Sequence, residues 1–489
     1  MTTINTNIGA IAAQANMTKV NDDFNNAMTR LSTGLRINAA KDDAAGMAIG
    51  EKMTAQVMGL NQAIRNASDG KNLVDTTEGS HVEVSSMLQR LRELAVQSSN
   101  DTNTASDRGS LMAEAGQLVS EINRVAETTT FNGMKILDGS FKGKQLQIGA
   151  DSGTTMNINV DSAKASDIGA HKVTSEAAIA DFAAETLTIS GNRGSQTVDT
   201  AAGDSAKQIA SKINSVTAST GVEATASSTA ILEGPDASGA VASTVEFEIN
   251  GVKIEAVSVP ASDPEGGERL AGLRDAINEV SSQTGVTASI NEDGNIKLTD
   301  ADGDDIEITA FSSSTTGSSM TITTGDGAAT DDLDGTTTSV TIKGVVEMTS
   351  TKSFSIATDE AGAAATETSF LAVDTDKQHF ASKLDAVSQI DLTTAEGAAN
   401  AIKVIDVALS KISQSRSDLG AVSNRLDSTI SNLTNISTSV QAARSQVMDA
   451  DFAAESTALA RGQILSQAAT AMLAQANSSK QNVLSLLRG

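Results

Sequence analysis

Cysteine, tryptophan and tyrosine are absent from this 489-residue chain, and ten phenylalanines are its only aromatic residues. Without cysteine there is no disulfide, no thiolate nucleophile and no cysteine-bound metal. A catalytic pocket, or a surface on which nucleic-acid bases stack, normally has more aromatic area than ten phenylalanines provide. We therefore expect a protein that is not an enzyme and that needs no cofactor.

Histidine and proline are also scarce, with three of each. His81, His171 and His379 are far apart, and none lies in the H-E-x-x-H spacing of a zinc protease, so no metal site is predicted. Proline does not occur before Pro235 or after Pro264. Both ends of the chain therefore lack the residue that most strongly interrupts a helix.

Long hydrophobic runs are missing too, since no stretch approaches the roughly twenty apolar residues that span a bilayer. The first residues, Met-Thr-Thr-Ile-Asn-Thr-Asn, contain neither the basic nor the apolar segment of a secretory signal peptide. We expect a soluble protein that leaves the cell, if it does so, without a cleaved leader.

The net charge of −26 is unevenly distributed. Residues 151–400 contain 39 acidic and 13 basic residues, whereas the remainder has 22 of each. The neutral ends can pack closely against copies of themselves, while the acidic middle repels itself and stays solvated. This distribution argues against nucleic acid and against an anionic membrane as partners.

Apolar residues recur at steps of three and four near both ends of the chain, as on one face of a helix. Such a stripe cannot be buried by its own helix, so we expect the two ends to pair as a coiled coil. The N-terminal stripes are Ile4, Ile8, Ile11 and Ala15, then Val20, Phe24, Ala27, Leu31 and Leu35; the C-terminal stripe is Ile464, Leu465, Ala468, Met472, Leu473, Ala476, Val483, Leu484 and Leu487.

Two paired helices still expose much apolar surface, and the pattern leaves two interpretations open. In one, many copies bury this surface in an assembly. In the other, a two-helix tail folds back on a globular body. Further amphipathic segments, between about 53 and 125 and between about 393 and 440, predict a helical bundle next to the terminal helices.

The composition changes to Ser, Thr, Gly, Ala and Asp with β-branched residues between about 160 and 395. An internal repeat lies here, because residues 211–225 match residues 275–289. Each copy predicts a hairpin, a short helix and strands, at about 187–235 and 247–312. We therefore predict an α+β multidomain fold, in which both chain ends form a coiled coil and a helical bundle and the β-rich part is inserted.

Two segments closely resemble bacterial flagellin, the subunit of the flagellar filament. One is Leu31-Ser-Thr-Gly-Leu-Arg-Ile-Asn-Ala-Ala-Lys-Asp-Asp-Ala-Ala-Gly-Met-Ala-Ile, preceded by Ile4-Asn-Thr-Asn. The other is Ala443-Arg-Ser-Gln-Val-Met-Asp-Ala-Asp-Phe-Ala-Ala-Glu-Ser, followed by the ending Leu484-Ser-Leu-Leu-Arg. The resemblance covers roughly residues 1–150 and 400–489, and the repeat looks like the insert units of many flagellins.

The resemblance implies three domains. Residues 1–40 with 451–489 would form the inner core of a hollow filament, residues 41–160 with 396–450 an outer tube, and residues 161–395 the surface-exposed insert. The polymerisation interface would then include apolar residues of both terminal stripes: Ile4, Ile8, Ile11, Phe24, Leu31, Ile464, Met472, Leu484 and Leu487.

The same resemblance implies partners and a location. A flagellin is exported without a cleaved signal peptide through the flagellar type III apparatus and assembles outside the cell. An export chaperone covers its C-terminal helix, and the filament meets a cap and hook-junction proteins.

The segment Leu88–Gln97 is similar to the one through which some flagellins contact the host receptor Toll-like receptor 5. The similarity implies Gln89, Arg90, Leu94, Gln97 and, on the next helix, Glu114 as contacts. The alternative is that the charged residues are a solvated helix face and the leucines pack inside the bundle.

The function predicted is a structural subunit that self-assembles into the bacterial flagellar filament for swimming motility. Two alternatives remain at this point. One is the hook–filament junction protein, which shares terminal coiled-coil ends. The other is a secreted enzyme or adhesin with such ends, which the absence of Cys, Trp, Tyr and a clustered catalytic set disfavours.

Overall fold

The computed structural model describes residues 6–179, 181–235, 242–260, 269–291, 293–315, 318–327, 329–334, 336–358, 371 and 379–488, with side chains as far as residue 478. The described residues have helices toward both ends and a β-rich middle, as the sequence predicted.

Long helices occupy the proline-free ends of the chain. Helix α1 begins after Asn7, whose side chain accepts a hydrogen bond from the Ala10 amide, and stops at Gly34 in the left-handed conformation. Helix α3 begins with a capping box between Thr104 and Asp107. The helices are α1 (Ile8–Thr33), α2 (Ala44–Ser98), α3 (Ala105–Thr128), α4 (Ala206–Ser215), α5 (Thr217–Thr220), α6 (Ala271–Glu279), α7 (Ser281–Thr284), a 3-10 turn (Val387–Gln389), α8 (Ala395–Met448) and α9 (Phe452–Arg488).

The strands fall between α3 and α8, where β-branched residues alternate with polar ones. The first hairpin turns at Asn132-Gly133, both with positive φ, as that dipeptide predicts. The strands are β1 (Thr130–Phe131), β2 (Met134–Lys135), β3 (Lys144–Gln147), β4 (Thr155–Ile158), β5 (Gly169–Thr174), β6 (Thr186–Ser190), β7 (Ser195–Asp199), β8 (Glu223–Leu232), β9 (Ser243–Ile249), β10 (Val252–Lys253), β11 (Val257–Val259), β12 (Val286–Ile290), β13 (Ile296–Asp300), β14 (Ile306–Ser313), β15 (Met320–Thr324), β16 (Thr330–Leu333), β17 (Val340–Ile342), β18 (Val345–Ser350), β19 (Ser355–Thr358), β20 (His379–Ala381) and β21 (Lys383–Ala386).

Strand pairing is antiparallel in each of the sheets. The largest sheet has the order β12-β13-β8-β18-β5-β21, with β15 beside β8 and β16 beside β15. A second has the order β10-β9-β14-β17 with β11 also on β9, and a third has the order β20-β19-β6-β7. The hairpins β1-β2 and β3-β4 stand apart from these sheets.

The chain divides into two compact units. The terminal unit comprises residues 1–78, 141–160 and 417–489, and the central unit comprises residues 79–140 and 161–416. In the terminal unit α1 lies antiparallel to α9, and the first part of α2 packs on the second part of α8 through Leu60, Ala63 and Leu433.

Two separate apolar cores lie in the β-rich part of the central unit that the structure describes. One surrounds α4 and includes Phe182, Leu187, Ile213 and Met348. The other surrounds α6 and includes Phe247 and Ile277, together with residues of β12 to β15. Each core is built on a hairpin, a short helix and the strand that follows it, which is the order of elements predicted for the repeat.

Candidate self-assembly interface

The pairing of α1 with α9 follows a seven-residue pattern of buried and half-buried positions. In α1 these positions recur at alternating steps of three and four, and α9 has a matching series. We call the two series together the seam: Ala10, Ala13, Met17, Val20, Phe24, Ala27 and Leu31 in α1, and Leu459, Gly462, Ser466, Ala469, Leu473 and Ala476 in α9.

Small residues let the two helices approach closely along the seam. At Gly462 an added Cβ atom would lie 3.3 Å from the Cβ of Phe24, which is tighter than most packed contacts. The phenylalanine ring therefore fills the space that a side chain at Gly462 would need. Ala13 and Ala469 also belong to the seam, and their small side chains leave room for the partner helix.

Polar contacts join the two helices at several points. Near one end, Arg30 Nη1 lies 3.1 Å from Glu455 Oε1. Near the other end, Asn7 Nδ2 donates to the Ala476 carbonyl oxygen over 3.3 Å. Between them, Ser466 Oγ donates to an oxygen of the Asn21 side chain over 3.4 Å.

Large apolar side chains remain outside the seam. Ile8 is 66% exposed, Ile11 57%, Ile464 67% and Met472 65%. Met472 lines one side of a groove between α1 and α9, with a volume of about 560 Å³ and walls that include Gly9, Ala12, Leu465 and Ala468. These side chains are free to contact another molecule.

The structure thus separates two groups among the expected interface residues. Phe24 and Leu31 lie in the seam, whereas Ile8 and Ile11 do not pair with α9, contrary to the expectation that their stripe would meet the other end. The reason is that Ala10, Ala13 and Met17 form a second stripe on α1, which faces the small residues of α9. Ile4 lies outside the described residues, as do the side chains of Leu484 and Leu487.

The segment between α1 and α2 pairs with the joint between α8 and α9. Leu35 forms a β-bridge with Asp449. The Arg36 amide donates to the Met448 carbonyl over 2.7 Å, and the Ala450 amide donates to the Gly34 carbonyl over 2.9 Å. The sequence pattern did not predict that these two segments bind each other.

Two aspartates shape the start of α2. Asp42 Oδ2 accepts hydrogen bonds from the amides of Asn38 and Ala39, over 3.1 and 3.0 Å, and these bonds lower the pKa of the Asp42 carboxyl. Asp43 Oδ1 accepts from the Gly46 amide over 2.9 Å. Asp43 therefore caps the N-terminus of α2, while Asp42 holds the loop that precedes it.

In the central unit, the receptor-like segment carries an ion-pair cluster. Arg90 lies 2.8 Å from Glu114 and 2.9 Å from Glu93, and these hydrogen bonds raise the pKa of the arginine. Gln89 and Gln97 are exposed on the same helix. The structure therefore brings Gln89, Arg90, Gln97 and Glu114 to the surface.

Leu94 differs from the other four candidates in this segment. Its side chain is 1% exposed and lies in the core of the bundle with Leu88 and Leu91. This burial argues against a direct receptor contact by Leu94, because a leucine at the 88–91–94 spacing turns inward on α2.

Across the part of the chain that the structure describes, none of the helices is both long enough and apolar enough to cross a membrane.

Comparisons with known proteins give the same family at both ends of the chain. Residues 4–142 match the bacterial flagellin N-terminal helical region, and residues 402–487 match the bacterial flagellin C-terminal helical region. The flagellin hook IN motif matches twice, at residues 186–234 and 246–302. These two stretches overlap the two copies of the internal repeat.

Among the solved structures, FliC from Burkholderia pseudomallei is 20% identical, with a TM-score of 0.30 over 73% of this chain and 99% of that chain. Flagellar hook associated protein-3 from Legionella pneumophila is 13% identical, with a TM-score of 0.36 over 81% of this chain and 98% of that chain. At these TM-scores, neither similarity carries an argument.

Curated relatives match along nearly the whole chain. The B-type flagellin of Pseudomonas aeruginosa is 38% identical, the flagellin of Salmonella rubislaw 35%, and Flagellin A of Vibrio cholerae serotype O1 32%. Each match covers 99% of this chain and 99% of the relative. The chain belongs to the bacterial flagellins.

Proposed function

We propose that this subunit of the flagellar filament polymerises through the apolar side chains that α1 and α9 leave outside their seam. The observation that carries the proposal is the exposure of Ile8, Ile11, Ile464 and Met472 on helices that are already paired with each other. A soluble monomer rarely keeps such residues exposed along one pair of helices unless another molecule covers them.

The energetics favour a polymer over a small complex. Fully burying one isoleucine or methionine side chain contributes roughly 1.5–3 kcal/mol. The free energy from one such contact is small compared with the translational and rotational free energy lost on association. A subunit in a filament, however, forms contacts with several neighbours at once. Phe24 and Leu31 would act from within the seam, by holding α1 and α9 in the arrangement that presents the exposed residues.

The experiment compares the full chain with the double variant Ile464→Asn, Met472→Asn. We expect the critical concentration for salt-induced polymerisation to rise about tenfold or more, which corresponds to about 1.4 kcal/mol or more per added subunit. Sedimentation gives the critical concentration and electron microscopy shows the filaments. A chain that lacks residues 452–489 should form none.

The matched control is Met134→Asn, which makes a similar change at an exposed methionine of the β1-β2 hairpin. It should leave the critical concentration unchanged. Equal polymerisation by the double variant and the wild-type chain would contradict the proposal.

The domain roles follow as part of the same proposal. Residues 1–40 with 451–489 form the inner core of the filament, residues 41–160 with 396–450 the tube around it, and residues 161–395 the solvent-exposed insert. The charge distribution supports this assignment, because neutral ends pack together more readily than an insert with 39 acidic and 13 basic residues in 151–400.

The partners and location proposed are those of a secreted filament protein. The chain leaves the cell through the flagellar type III apparatus without a cleaved signal peptide, bound beforehand by an export chaperone at α9. The exposed apolar side chains of α9 support a need for such cover before assembly. Outside the cell it meets a cap and hook-junction proteins, and it acts as a structural protein rather than an enzyme.

A second interaction is proposed for the surface formed by Gln89, Arg90, Gln97 and Glu114, which would bind Toll-like receptor 5. In support, Arg90 is held in place by Glu114 and Glu93, so its guanidinium has a defined position on an exposed face. Leu94 would support this surface from the core instead of touching the receptor.

The receptor proposal is tested with Arg90→Ala in a reporter-cell assay on monomeric protein. We expect weaker activation than by the wild-type chain. Arg124→Ala is the matched control, because Arg124 is also an exposed arginine that pairs with a glutamate, Glu121, on α3. Equal activation by the wild-type chain and Arg90→Ala would show that Arg90 does not contact the receptor.

The rival functions lose support for a specific reason. The curated relatives that match 99% of the chain are named as flagellins, which favours a filament subunit over a junction protein. An adhesin would need a host ligand for its acidic insert, and specific binding of such a ligand would be the observation in its favour.

A further inference from the structure

We infer that Arg30 and Glu455 fix the register in which α1 and α9 pair, and thereby decide which apolar residues are left for polymerisation. Only the statement about polymerisation rests on the proposed function. The register itself is a property of the single chain. Its basis is the position of one ion pair within an otherwise repetitive seam.

The apolar seam alone specifies the register poorly. Its positions repeat every seven residues in both helices, so sliding α9 by seven residues again places seam residues opposite one another. The α9 side of the seam consists mainly of Gly, Ser and Ala between Leu459 and Leu473. Small residues of this kind offer few distinct shapes to tell one alignment from the next.

Sliding α9 one way brings like charges together. In the observed register Glu455 meets Arg30. A seven-residue shift in this direction would move Glu455 next to Asp23, and the attraction would be replaced by repulsion. Glu455 is the sole acidic residue in the sequence from Phe452 to Arg488, so it is the one side chain of α9 that attracts Arg30 in the observed register and would repel Asp23 in the shifted one.

Sliding α9 the other way is opposed by packing. The ring of Phe24 lies against Gly462, where even a Cβ atom would be tightly placed. A seven-residue shift in this direction would bring Ala469 opposite Phe24 and move Glu455 beyond the end of α1. The phenylalanine would then meet an added methyl group, and the ion pair would be lost.

The surroundings of the pair strengthen its effect. The Glu455 side chain is 14% exposed and that of Arg30 is 35% exposed, so the pair is more shielded from water than a typical surface ion pair. A polar residue at one position of a coiled-coil seam is a known means of setting register, at some cost in stability. The ion pair therefore contributes more to the choice of register than to the stability of the helix pair.

The absence of cysteine allows a direct test of the register. Asn21 and Ser466 have side-chain oxygens 3.4 Å apart, so the pair Asn21→Cys, Ser466→Cys should form an intramolecular disulfide in the observed register. The pair Asn21→Cys, Leu459→Cys reports the register in which Glu455 would meet Asp23. Both are introduced into the full chain and oxidised at a dilution that keeps it monomeric.

The decisive change is Glu455→Arg. It turns the observed register into a repulsive one and makes the shifted register attractive, because the new arginine would lie near Asp23. We expect the ratio of the Ser466→Cys to the Leu459→Cys cross-link to fall about fivefold or more, which corresponds to about 1 kcal/mol. Adding Arg30→Glu should raise the ratio again, because the pair is then present in reverse in the observed register. It should not reach the wild-type value, because the new arginine still attracts Asp23 in the shifted register.

The control is Asp22→Asn, which removes a charge from an exposed position of α1 and should not change the ratio. An unchanged ratio in Glu455→Arg would overturn the inference, and so would a loss of both cross-links that Arg30→Glu does not rescue. Sedimentation of the same variants is measured separately. A chain with the observed register that fails to polymerise would contradict the proposed assembly surface and leave the register assignment intact.

Discussion

At Gly462 the backbone of α9 comes so close to α1 that side-chain size becomes critical. Helical glycine ordinarily costs stability relative to alanine, because it loses more backbone freedom on folding. A glycine inside a helix is therefore explained when a neighbouring side chain leaves no room for a larger residue. At Gly462 the neighbouring side chain is Phe24. Gly420 on α8 offers a comparison, since an added Cβ atom there would meet nothing within 4 Å among the described residues.

We expect the two glycines to respond in opposite directions. Gly420→Ala should raise the free energy of unfolding by roughly 0.5–1 kcal/mol, the usual gain from replacing an exposed helical glycine. Gly462→Val should lower it by roughly 1–3 kcal/mol, because the branched side chain overlaps Phe24. Thermal unfolding followed by circular dichroism measures both, and a stabilised Gly462→Val would show that α1 and α9 do not pack as described.

The seam was predicted only in part from the sequence. The helical pattern at both ends was sufficient to predict that they pair. It was not sufficient to choose between the stripe of Ile8 and Ile11 and the stripe of Ala10, Ala13 and Met17, because both have the right spacing. The choice depends on how closely the partner helix approaches, and that depends on Gly462 and Ala469, about 450 residues further along the chain.

At the scale of elements, the two repeats share a contact between helix and strand. Asn214 at the end of α4 exchanges two hydrogen bonds with the Ala224 backbone on β8, each 2.8 Å long. Asn278 at the end of α6 does the same with Ala288 on β12, again with 2.8 Å for both bonds. The asparagine amide thus replaces one residue of a neighbouring strand and covers the strand edge at that point.

This contact predicts the effect of removing either asparagine. Asn214→Ala and Asn278→Ala should each lower the free energy of unfolding of the central unit by about 1–3 kcal/mol, because an amide and a carbonyl lose their partners. Hydrogen exchange should increase at Ala224 in the first variant and at Ala288 in the second, without affecting the other repeat. Gln196→Ala, at an exposed position of β7, serves as the control.

Equal protection of the Ala224 and Ala288 amides from hydrogen exchange in the wild-type chain and the variants would contradict this prediction. That outcome would mean that another group, or water, satisfies the backbone when the asparagine is absent. A loss of protection in both repeats at once would indicate that the two cores unfold together and not as separate units.

The sequence predicted the elements of the repeats better than their arrangement. The match between residues 211–225 and 275–289 was visible because both copies keep the same local order of hairpin, helix and strand. The pairing of β8 with β13, β15 and β18 was not visible, because strands that lie far apart in the chain can pair in many orders with equal local patterns.

At the scale of the whole molecule, the acidic insert can be separated from the helices that are proposed to polymerise. Strands β5 and β21 pair from Gly169 with Ala386 to Lys172 with Lys383. Residues 173–382 can therefore be replaced by Asn-Gly, a dipeptide that closes a two-residue hairpin between antiparallel strands. The excised segment contains 33 acidic and 10 basic residues, so nearly all of the net charge of −26 leaves with it.

We expect the shortened chain to polymerise, and to do so at lower salt than the full chain. Its terminal helices are unchanged, while the repulsion between inserts, which salt screens over a distance of about 10 Å at 0.1 M, is largely gone. Sedimentation across a salt series measures the shift, with circular dichroism as the check that the helices remain. The same salt requirement for both chains would show that repulsion between inserts does not limit assembly. A helical but monomeric shortened chain would place the polymerisation surface in the insert and contradict the role proposed for α1 and α9.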